Sequence, residues 1–255
     1  MSEPALRVTL VGGPTALLEY AGLRLLTDPT FDPPRAYERE GAPTLRKLAG
    51  PALEADEVGD VDVVLLSHDH HPDNLDESGH AYLSRAGRVL TTAEGAERLG
   101  GGATGMHPGD TTEVGSVTVT AVHAQHGPDG TDHLTGPVIG FVLRAEGLPA
   151  VYVSGDNASV DVVREIAERE GPLELAVLFA GGAAIPDRFD GALLTLGARE
   201  TAEAARILGA RAVVPVHQEG WEHFSVPPEA VRRAFEEAGL HDALVELRPG
   251  QAAEL

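Results

Sequence analysis

The apolar positions of the chain fall into short runs that end at glycine, proline, aspartate or histidine. Residues 6–11, 15–20 and 23–27 are three such runs joined by glycine-containing turns, a pattern that predicts an antiparallel β-meander. Residues 61–66 form a short apolar run rich in β-branched side chains, which predicts a buried strand. The N-terminal part of the chain is therefore expected to be rich in strands.

Helical and strand patterns alternate over the rest of the chain. Helices are predicted over 75–86, 92–99, 160–170, 201–208 and 227–238, and strands over 88–92, 116–122, 136–145, 149–154, 173–179, 211–216 and 244–247. Two such halves predict an α/β fold in which two sheets pack face to face with helices outside. We expect one domain spanning residues 1–255.

Composition and charge exclude several classes of protein. No apolar run approaches the roughly 20 residues of a membrane span, and the N-terminus lacks the pattern of a signal peptide, so we expect a cytoplasmic protein. The chain has no cysteine, so any metal must be held by His, Asp and Glu. The formal net charge of −21 disfavours a nucleic-acid partner. A small-molecule partner is expected, and a homo-oligomer is left open.

The run at 61–66 is followed by a loop dense in potential metal ligands. His68, His70, His71 and Asp73 lie within six positions. Neutral imidazoles and a carboxylate packed this closely are typical of a site for a borderline divalent cation such as zinc. Loops at the carboxyl ends of strands also carry the chemistry in open α/β sheets.

Three further candidate ligands stand at the ends of later strands. These are His126, Asp156 and His217. Asp156 could instead cap the following helix, but Ser159 is at least as good a cap, which leaves the aspartate free. Ligands drawn from several strand ends are more typical of a catalytic metal site than of a structural one, which usually relies on thiolates.

Several motifs, in this order along almost the whole chain, resemble the metallo-β-lactamase superfamily of metal-dependent hydrolases. The nearer resemblance is to the branch that contains the bacterial ascorbate phosphate lactonases. The motifs are Gly12-Gly13-Pro14-Thr15, Leu26-Thr27-Asp28-Pro29, Leu66-Ser67-His68-Asp69-His70, His126-Gly127-Pro128, Ser154-Gly155-Asp156, Pro215-Val216-His217 and Gly220-Trp221-Glu222-His223-Phe224. The resemblance implies a four-layer αβ/βα sandwich and one or two zinc ions, with manganese or iron as alternatives.

Carried over to this chain, the family pattern assigns His68, His70 and His126 to a first metal ion. Asp156 then bridges, and Asp73 and His217 belong to a second ion. The family motif His-x-His-x-Asp-His is altered here, because its final histidine is replaced by Asn74. His70 and His71 compete for one ligand place, and the second site is expected to be weak, single-metal or completed by His71.

Other polar residues receive supporting roles. Asp73 is expected to shuttle a proton, and the resemblance suggests that His223 lines the pocket, although a packing role is equally open. Asp28 is either a turn residue or a partner that orients a metal-bound histidine. Phe31, Arg35 and Tyr37, in the long segment 29–60, are candidates for substrate contact. His107 is expected to be structural or exposed, and His123 is expected to support its loop instead of binding metal.

The leading functional hypothesis is a hydrolase that cleaves a small ester, lactone or phosphodiester through a metal-bound hydroxide. Two alternatives remain. The first is a metal-binding protein of the same fold with weakened or lost catalysis, which Asn74 motivates. The second is a nucleic-acid-processing member of the superfamily, which the net charge of −21 disfavours.

Overall fold

The computed structural model describes residues 5–39, 41–185 and 188–255. The strands are β1 Leu6–Gly12, β2 Thr15–Tyr20, β3 Leu23–Thr27, β4 Arg35–Tyr37, β5 Leu45–Lys47, β6 Val61–Leu65, β7 Ala86–Thr92, β8 Thr104–Met106, β9 Thr111–Val114, β10 Val117–Ala124, β11 Val138–Arg144, β12 Val151–Val153, β13 Leu175–Phe179, β14 Ala212–Val216 and β15 Ala252–Glu254. The α-helices are α1 Ala55–Val58, α2 Glu77–Tyr82, α3 Ala93–Leu99, α4 Asp132–Thr135, α5 Val160–Glu170, α6 Ala198–Leu208 and α7 Pro228–Glu237.

All of these strands except β4 and β5 form two mixed sheets. The first sheet has the order β15-β1-β2-β3-β6-β7-β8, and the second has the order β14-β13-β12-β11-β10-β9. The predicted β-meander is present, because β1, β2 and β3 pair antiparallel, and β3, β6, β7 and β8 then run parallel. In the second sheet β12, β13 and β14 run parallel.

Three apolar clusters define the layers. The largest lies between the sheets and includes Leu18, Leu65 and Phe141. The outer face of the second sheet packs against α5, α6 and α7, and the outer face of the first sheet packs against the segments around α1 and α2. Helices therefore cover both outer faces of a sheet-on-sheet core, and the predicted α/β sandwich is confirmed. Its description as one domain of two halves stays a prediction.

Two predicted elements differ from the structure, and the last strand was not predicted. The helix expected to start at Thr201 begins at Ala198, and the Thr201 hydroxyl instead donates to the Gly197 carbonyl at 2.6 Å. The strand expected at 244–247 is absent; this segment makes one bridge, between Leu244 and Val213. The last strand is β15, which pairs with β1 and forms one edge of the first sheet.

The long segment 29–60 also contains regular structure that the sequence pattern did not predict. Strands β4 and β5 pair antiparallel as a two-stranded sheet, and α1 follows. Runs of three residues are too short to show a period. None of the helices in the described parts of the chain has the length and apolar character needed to cross a membrane.

Candidate metal centre

Strand ends from both sheets bring the predicted ligands together. His68 follows β6 of the first sheet, and His126, Asp156 and His217 follow β10, β12 and β14 of the second. His68, His126 and Asp156 offer ligand atoms that lie within 4.8 Å of one another, and so do Asp73, Asp156 and His217. The predicted convergence of these residues is therefore present, with Asp156 common to both sets.

We call His68, His71, His126 and Asp156 the first donor group. His71 Nδ1 lies 3.0 Å from His68 Nε2 and 3.2 Å from His126 Nε2. His126 Nε2 lies 3.6 Å from Asp156 Oδ2, which is buried and has no hydrogen-bond partner in the described part of the chain. One proton on His71 could bridge two of these nitrogens. A divalent cation would satisfy the ligand atoms of His68, His126 and Asp156 together, and His71 is a further candidate beside them.

Hydrogen bonds fix which nitrogen of two of these rings faces the site. The Ser67 hydroxyl donates to Asp28 Oδ2 at 2.6 Å, so it can only accept from His68 Nδ1, 2.9 Å away. The Leu194 carbonyl accepts from His126 Nδ1 at 2.8 Å. In both rings the lone pair is therefore on Nε2, as a metal ligand requires.

The same contacts decide between the two predicted roles of Asp28. Its other oxygen accepts from the Ser67 backbone N–H at 2.6 Å, and its φ of 28° shows a constrained turn. Asp28 therefore occupies a turn and also orients His68 through Ser67. The Ser67 hydroxyl is a part of the site that the sequence reasoning did not single out, although it stands directly before His68.

The two competing histidines of the loop, His70 and His71, have different hydrogen-bond partners. His70 Nε2 donates to the Thr135 carbonyl at 2.5 Å, whereas its Nδ1 is buried without a partner in the described residues. Gly136 permits this contact, because a Cβ there would lie 2.3 Å from His70 Nε2. His68, His70 and His71 also form a close group. His71 makes the shorter contacts with both His68 and His126, and the ligand role of either residue stays a prediction.

We call Asp73, Asp156 and His217 the second donor group. His217 Nε2 lies 3.5 Å from Asp73 Oδ2 and 3.5 Å from Asp156 Oδ1. His217 is fully buried, and neither ring nitrogen has a hydrogen-bond partner in the described residues. Its φ of 60° is uncommon outside glycine, and its backbone N–H donates to the Gly13 carbonyl at 2.7 Å. An orphaned buried imidazole beside two carboxylates fits a divalent ion.

The remaining place near this group is taken by Asn74. Its Nδ2 donates to Asp28 Oδ2 at 2.9 Å and to Asp156 Oδ1 at 3.1 Å. The side-chain oxygen Oδ1 is buried without a partner in the described residues. The substituted motif position therefore remains part of the centre, but it presents N–H groups to the carboxylates instead of an imidazole.

Burial sets the protonation of the imidazoles in the first donor group. Burial, and secondarily the neighbouring imidazoles, hold the pKa values of His68 and His71 well below the usual range. Burial also lowers the pKa of His126 to about 4. All three rings are therefore neutral near pH 7, which is the form that binds metal.

The pKa values of the three buried carboxylates shift in different directions. Burial raises the pKa of Asp28 and of Asp156 to about 7. Burial also acts to raise the pKa of Asp73, but the electrostatic influence of His223, its hydrogen bond to Asp73 and the nearby His217 imidazole hold this pKa well below its usual range. Asp73 is thus the ionised carboxylate of the centre, and His223 Nε2 contacts its Oδ2 at 2.9 Å.

The raised pKa of Asp28 predicts a pH dependence in the metal-free protein. A folded-state pKa of about 7, against 3.8, means that the folded chain binds the proton more tightly, so this stabilisation is lost as pH rises through 7. Asp28→Asn removes the ionisation. The free energy of unfolding of the variant, relative to wild type, should rise by up to about 4 kcal/mol between pH 4 and pH 8. Urea titrations at several pH values measure this difference, and a constant difference would contradict it.

A cavity of about 260 Å³ adjoins the centre. His71, Asp73, His126 and His223 contribute to its lining, and so do the apolar side chains of Leu45, Leu134, Ile185 and Leu194. His223 therefore lines the pocket as the resemblance suggested. Small sites with apolar walls and a few polar groups are typical of small-molecule binding.

The three candidates for substrate contact have different positions. Tyr37 lines the cavity, and its hydroxyl donates to Asp32 Oδ2 at 2.8 Å. Arg35 lines a neighbouring cavity and pairs with Glu77 at 2.8 Å. Phe31 is buried in the apolar core, 5.0 Å between ring centroids from Tyr82, so the prediction is wrong for Phe31. The other two histidines agree with expectation: His107 is exposed, and His123 is half-buried within β10.

A second supporting residue, besides Ser67, was missed by the sequence reasoning. Lys47, the only lysine of the chain, is buried and contacts Asp76 Oδ2 at 2.8 Å. Asp76 also accepts from the backbone N–H groups of Phe31 and Asp32. The Lys47 ammonium lies 5.6 Å from the ring centroid of Trp221. This ion pair joins the β4–β5 hairpin, which lines the cavity, to the segment that follows the ligand loop.

Comparisons with known proteins agree with the fold. A UPF0173 metal-dependent hydrolase of Rubrobacter xylanophilus is 31% identical over 210 residues, covering 78% of this chain and 81% of that protein. The isothiocyanate hydrolase from Delia radicum gut bacteria has a similar structure, with a TM-score of 0.83 at 22% identity over 98% of both chains. The metallo-beta-lactamase fold protein YhfI of Bacillus subtilis matches with a TM-score of 0.64 at 14% identity over 99% of both chains.

The family assignment depends on the sequence match and on these structural neighbours together. The family model described as "Beta-lactamase superfamily domain" matches residues 23–218. This span includes every member of the two donor groups. The nearer resemblance to ascorbate phosphate lactonases is not among these findings and stays a prediction. The chain belongs to the beta-lactamase superfamily and has the metallo-β-lactamase fold.

Proposed function

We propose that this protein is a metal-dependent hydrolase, with zinc as its metal, that cleaves a small ester, lactone or phosphodiester. The observation that carries the proposal is the first donor group. Three neutral imidazoles converge beside a cavity with one carboxylate oxygen that has no hydrogen-bond partner among the described residues. Nitrogen and oxygen donors without thiolates are typical of catalytic zinc sites. The names of the UPF0173 relatives support the hydrolase assignment.

The chain's own residues supply positioning and proton transfer. A bound divalent ion supplies a Lewis acid that polarises the electrophile and activates water. Asp73 is ionised and lines the cavity, so it can orient a water molecule and accept its proton. His223 donates to Asp73 through Nε2 and lines the same cavity, so it can deliver a proton to the leaving group.

The size and lining of the cavity limit the substrate class. About 260 Å³ holds a small molecule, and the apolar side chains of Leu45, Leu134 and Leu194 in its lining favour an apolar substituent. A second candidate substrate is an isothiocyanate. The same apolar walls favour it, and a similarly folded neighbour is named as an isothiocyanate hydrolase. Both substrate classes offer an electrophilic centre to activated water.

A substrate panel tests the proposal. Zinc-loaded protein is assayed with p-nitrophenyl acetate, a γ-lactone, bis(p-nitrophenyl) phosphate and phenyl isothiocyanate, and each assay is repeated after chelation. Turnover that is lost on chelation and restored by zinc supports a metal-dependent hydrolase and identifies the substrate class. Stoichiometric zinc with no turnover on an extended panel of these classes would instead support the metal-binding protein without catalysis.

A histidine variant tests the proton-transfer role. His223→Gln keeps a hydrogen-bond donor near Asp73 but cannot exchange a proton with the leaving group. We expect kcat to fall about 100-fold, within the usual range for general acid–base catalysis, with an unchanged zinc content. The control is His241→Gln, an exposed histidine, which should leave kcat unchanged. A His223→Gln enzyme with wild-type kcat and pH profile would remove this residue from the chemistry.

A further inference from the structure

The two donor groups differ in what their metal-facing atoms already contact. In the first donor group, His68 Nε2, His71 Nδ1 and His126 Nε2 lie within hydrogen-bond distance of one another, and Asp156 Oδ2 has no hydrogen-bond partner in the described residues. An ion there displaces only the hydrogen bonds that the imidazoles of this group make with one another. Three of these four donors are imidazoles, a ligand type that suits zinc, whereas the second donor group has one imidazole and two carboxylates.

The second donor group is already engaged with neutral or cationic N–H donors. Asp156 Oδ1 accepts from Asn74 Nδ2 at 3.1 Å, and Asp73 Oδ2 accepts from His223 Nε2 at 2.9 Å. Only His217 has ring nitrogens without a partner in the described part of the chain. An ion there must compete with existing hydrogen bonds for both carboxylates.

The orientation of the Asn74 amide follows from its neighbours. Nδ2 lies 2.9 Å from Asp28 Oδ2 and 3.1 Å from Asp156 Oδ1. The reverse orientation would direct the amide oxygen at two carboxylates, which repel it. Asn74 therefore directs a group that cannot bind metal at the carboxylate shared by the two donor groups. An imidazole at this position could instead direct a lone pair toward the ion.

We infer that the protein binds two zinc ions unequally, and that Asn74 sets the difference. The first donor group holds one ion tightly, and the second donor group binds its ion at least about 100-fold more weakly. A change in the groups that contact metal ligands commonly alters metal affinity by up to about 100-fold. This inference rests on the metal site of the proposed function but on no particular substrate. The protein therefore works with one tightly held ion at limiting zinc.

Zinc titration tests the inference directly. Metal-free protein is titrated with zinc in competition with a chromophoric chelator, and zinc per chain is measured after dialysis. We expect one zinc per wild-type chain and a second dissociation constant at least about 100-fold larger than the first. Two ions with dissociation constants within tenfold of each other would overturn the inference while leaving the proposed function intact. Wild-type protein that binds no zinc would overturn both.

Three substitutions at one position show whether Asn74 is the cause. Asn74→His supplies an imidazole and should bring the second dissociation constant to within about tenfold of the first. Asn74→Asp has nearly the same shape and supplies an anionic oxygen, so it should tighten the second ion even if the histidine variant does not fold. Asn74→Leu, the matched control, removes the competing N–H donor but supplies no ligand atom, so it should tighten the second ion less than either ligand variant does. A second affinity that is equal in wild type and in both folded ligand variants would show that Asn74 does not set it.

Discussion

Replacing Asp156 with alanine is expected to remove zinc and hydrolytic activity together. Asp156 directs Oδ2 toward His126 at 3.6 Å and Oδ1 toward His217 at 3.5 Å, so both donor groups lose a ligand in one substitution. We expect a fall in kcat/KM of at least about 1,000-fold, equivalent to about 4 kcal/mol of transition-state stabilisation. The loss should be larger than that of any variant affecting only one donor group.

The same variant should remain folded when metal-free. Burial raises the pKa of Asp156 to about 7, so the ionised carboxylate costs stability above that pH, and its removal relieves this cost. Measurements of zinc per chain and of the unfolding temperature with and without zinc separate the two effects. We expect the zinc-dependent rise in unfolding temperature to disappear.

Ser159→Ala is the control for local damage near Asp156. It removes the hydroxyl that accepts from the Val162 N–H at 3.3 Å at the start of α5. The loss of a helix cap costs about 1 kcal/mol, but no ligand changes. Zinc content should therefore stay at the wild-type value. Full zinc and full rate in Asp156→Ala would disprove the shared role of this carboxylate.

The metal centre was largely predictable because its residues occupy strand ends. Buried strands are recognisable in the sequence as apolar runs. Neighbouring parallel strands have their carboxyl ends at the same edge of a sheet. His68, Asp156 and His217 follow β6, β12 and β14, which are such runs. Recognising these strands was therefore enough to predict that the three residues lie near one another, without any knowledge of contacts between the sheets.

The choice between His70 and His71 could not be made from spacing. The two histidines are adjacent in the loop, so their positions in the sequence do not show which one binds metal. They differ in the structure because the Thr135 carbonyl accepts a hydrogen bond from His70. That carbonyl is 65 positions away in the chain. The same limit applies to the Leu194 carbonyl at His126, because every residue carries a carbonyl and its direction depends on the fold.

Short and edge elements were predicted least well. Strand β15 is three residues long, and its burial pattern shows only one half-buried residue, so no apolar period marks it. The segment 244–247 is more apolar and resembles a strand, yet it makes only one bridge. The pairing of β15 with β1 depends on how the C-terminal segment packs against the first sheet, and tertiary packing determines this.

Asp28→Asn is expected to weaken zinc binding at the first donor group by about 10- to 100-fold, although it removes no ligand. At pH 8 the ionised Asp28 accepts from the Ser67 hydroxyl, which in turn accepts from His68 Nδ1. An amide N–H at position 28 can donate to that hydroxyl and free its hydrogen for His68 Nδ1. The His68 proton then moves to Nε2, the atom that faces the metal, and the ring must lose this proton to bind.

Two measurements at pH 8 distinguish this relay from a merely structural role of Asp28. In metal-free protein, ¹⁵N chemical shifts of labelled histidine should report a proton on His68 Nδ1 in wild type and on Nε2 in the variant. Excess zinc should restore the rate, because the ligand atoms remain in place. Ser67→Ala should weaken zinc binding as well, since it leaves His68 Nδ1 without its acceptor. An unchanged zinc affinity together with an unchanged His68 tautomer in Asp28→Asn would show that the ring is held by packing alone, and that Asp28 is only a turn residue.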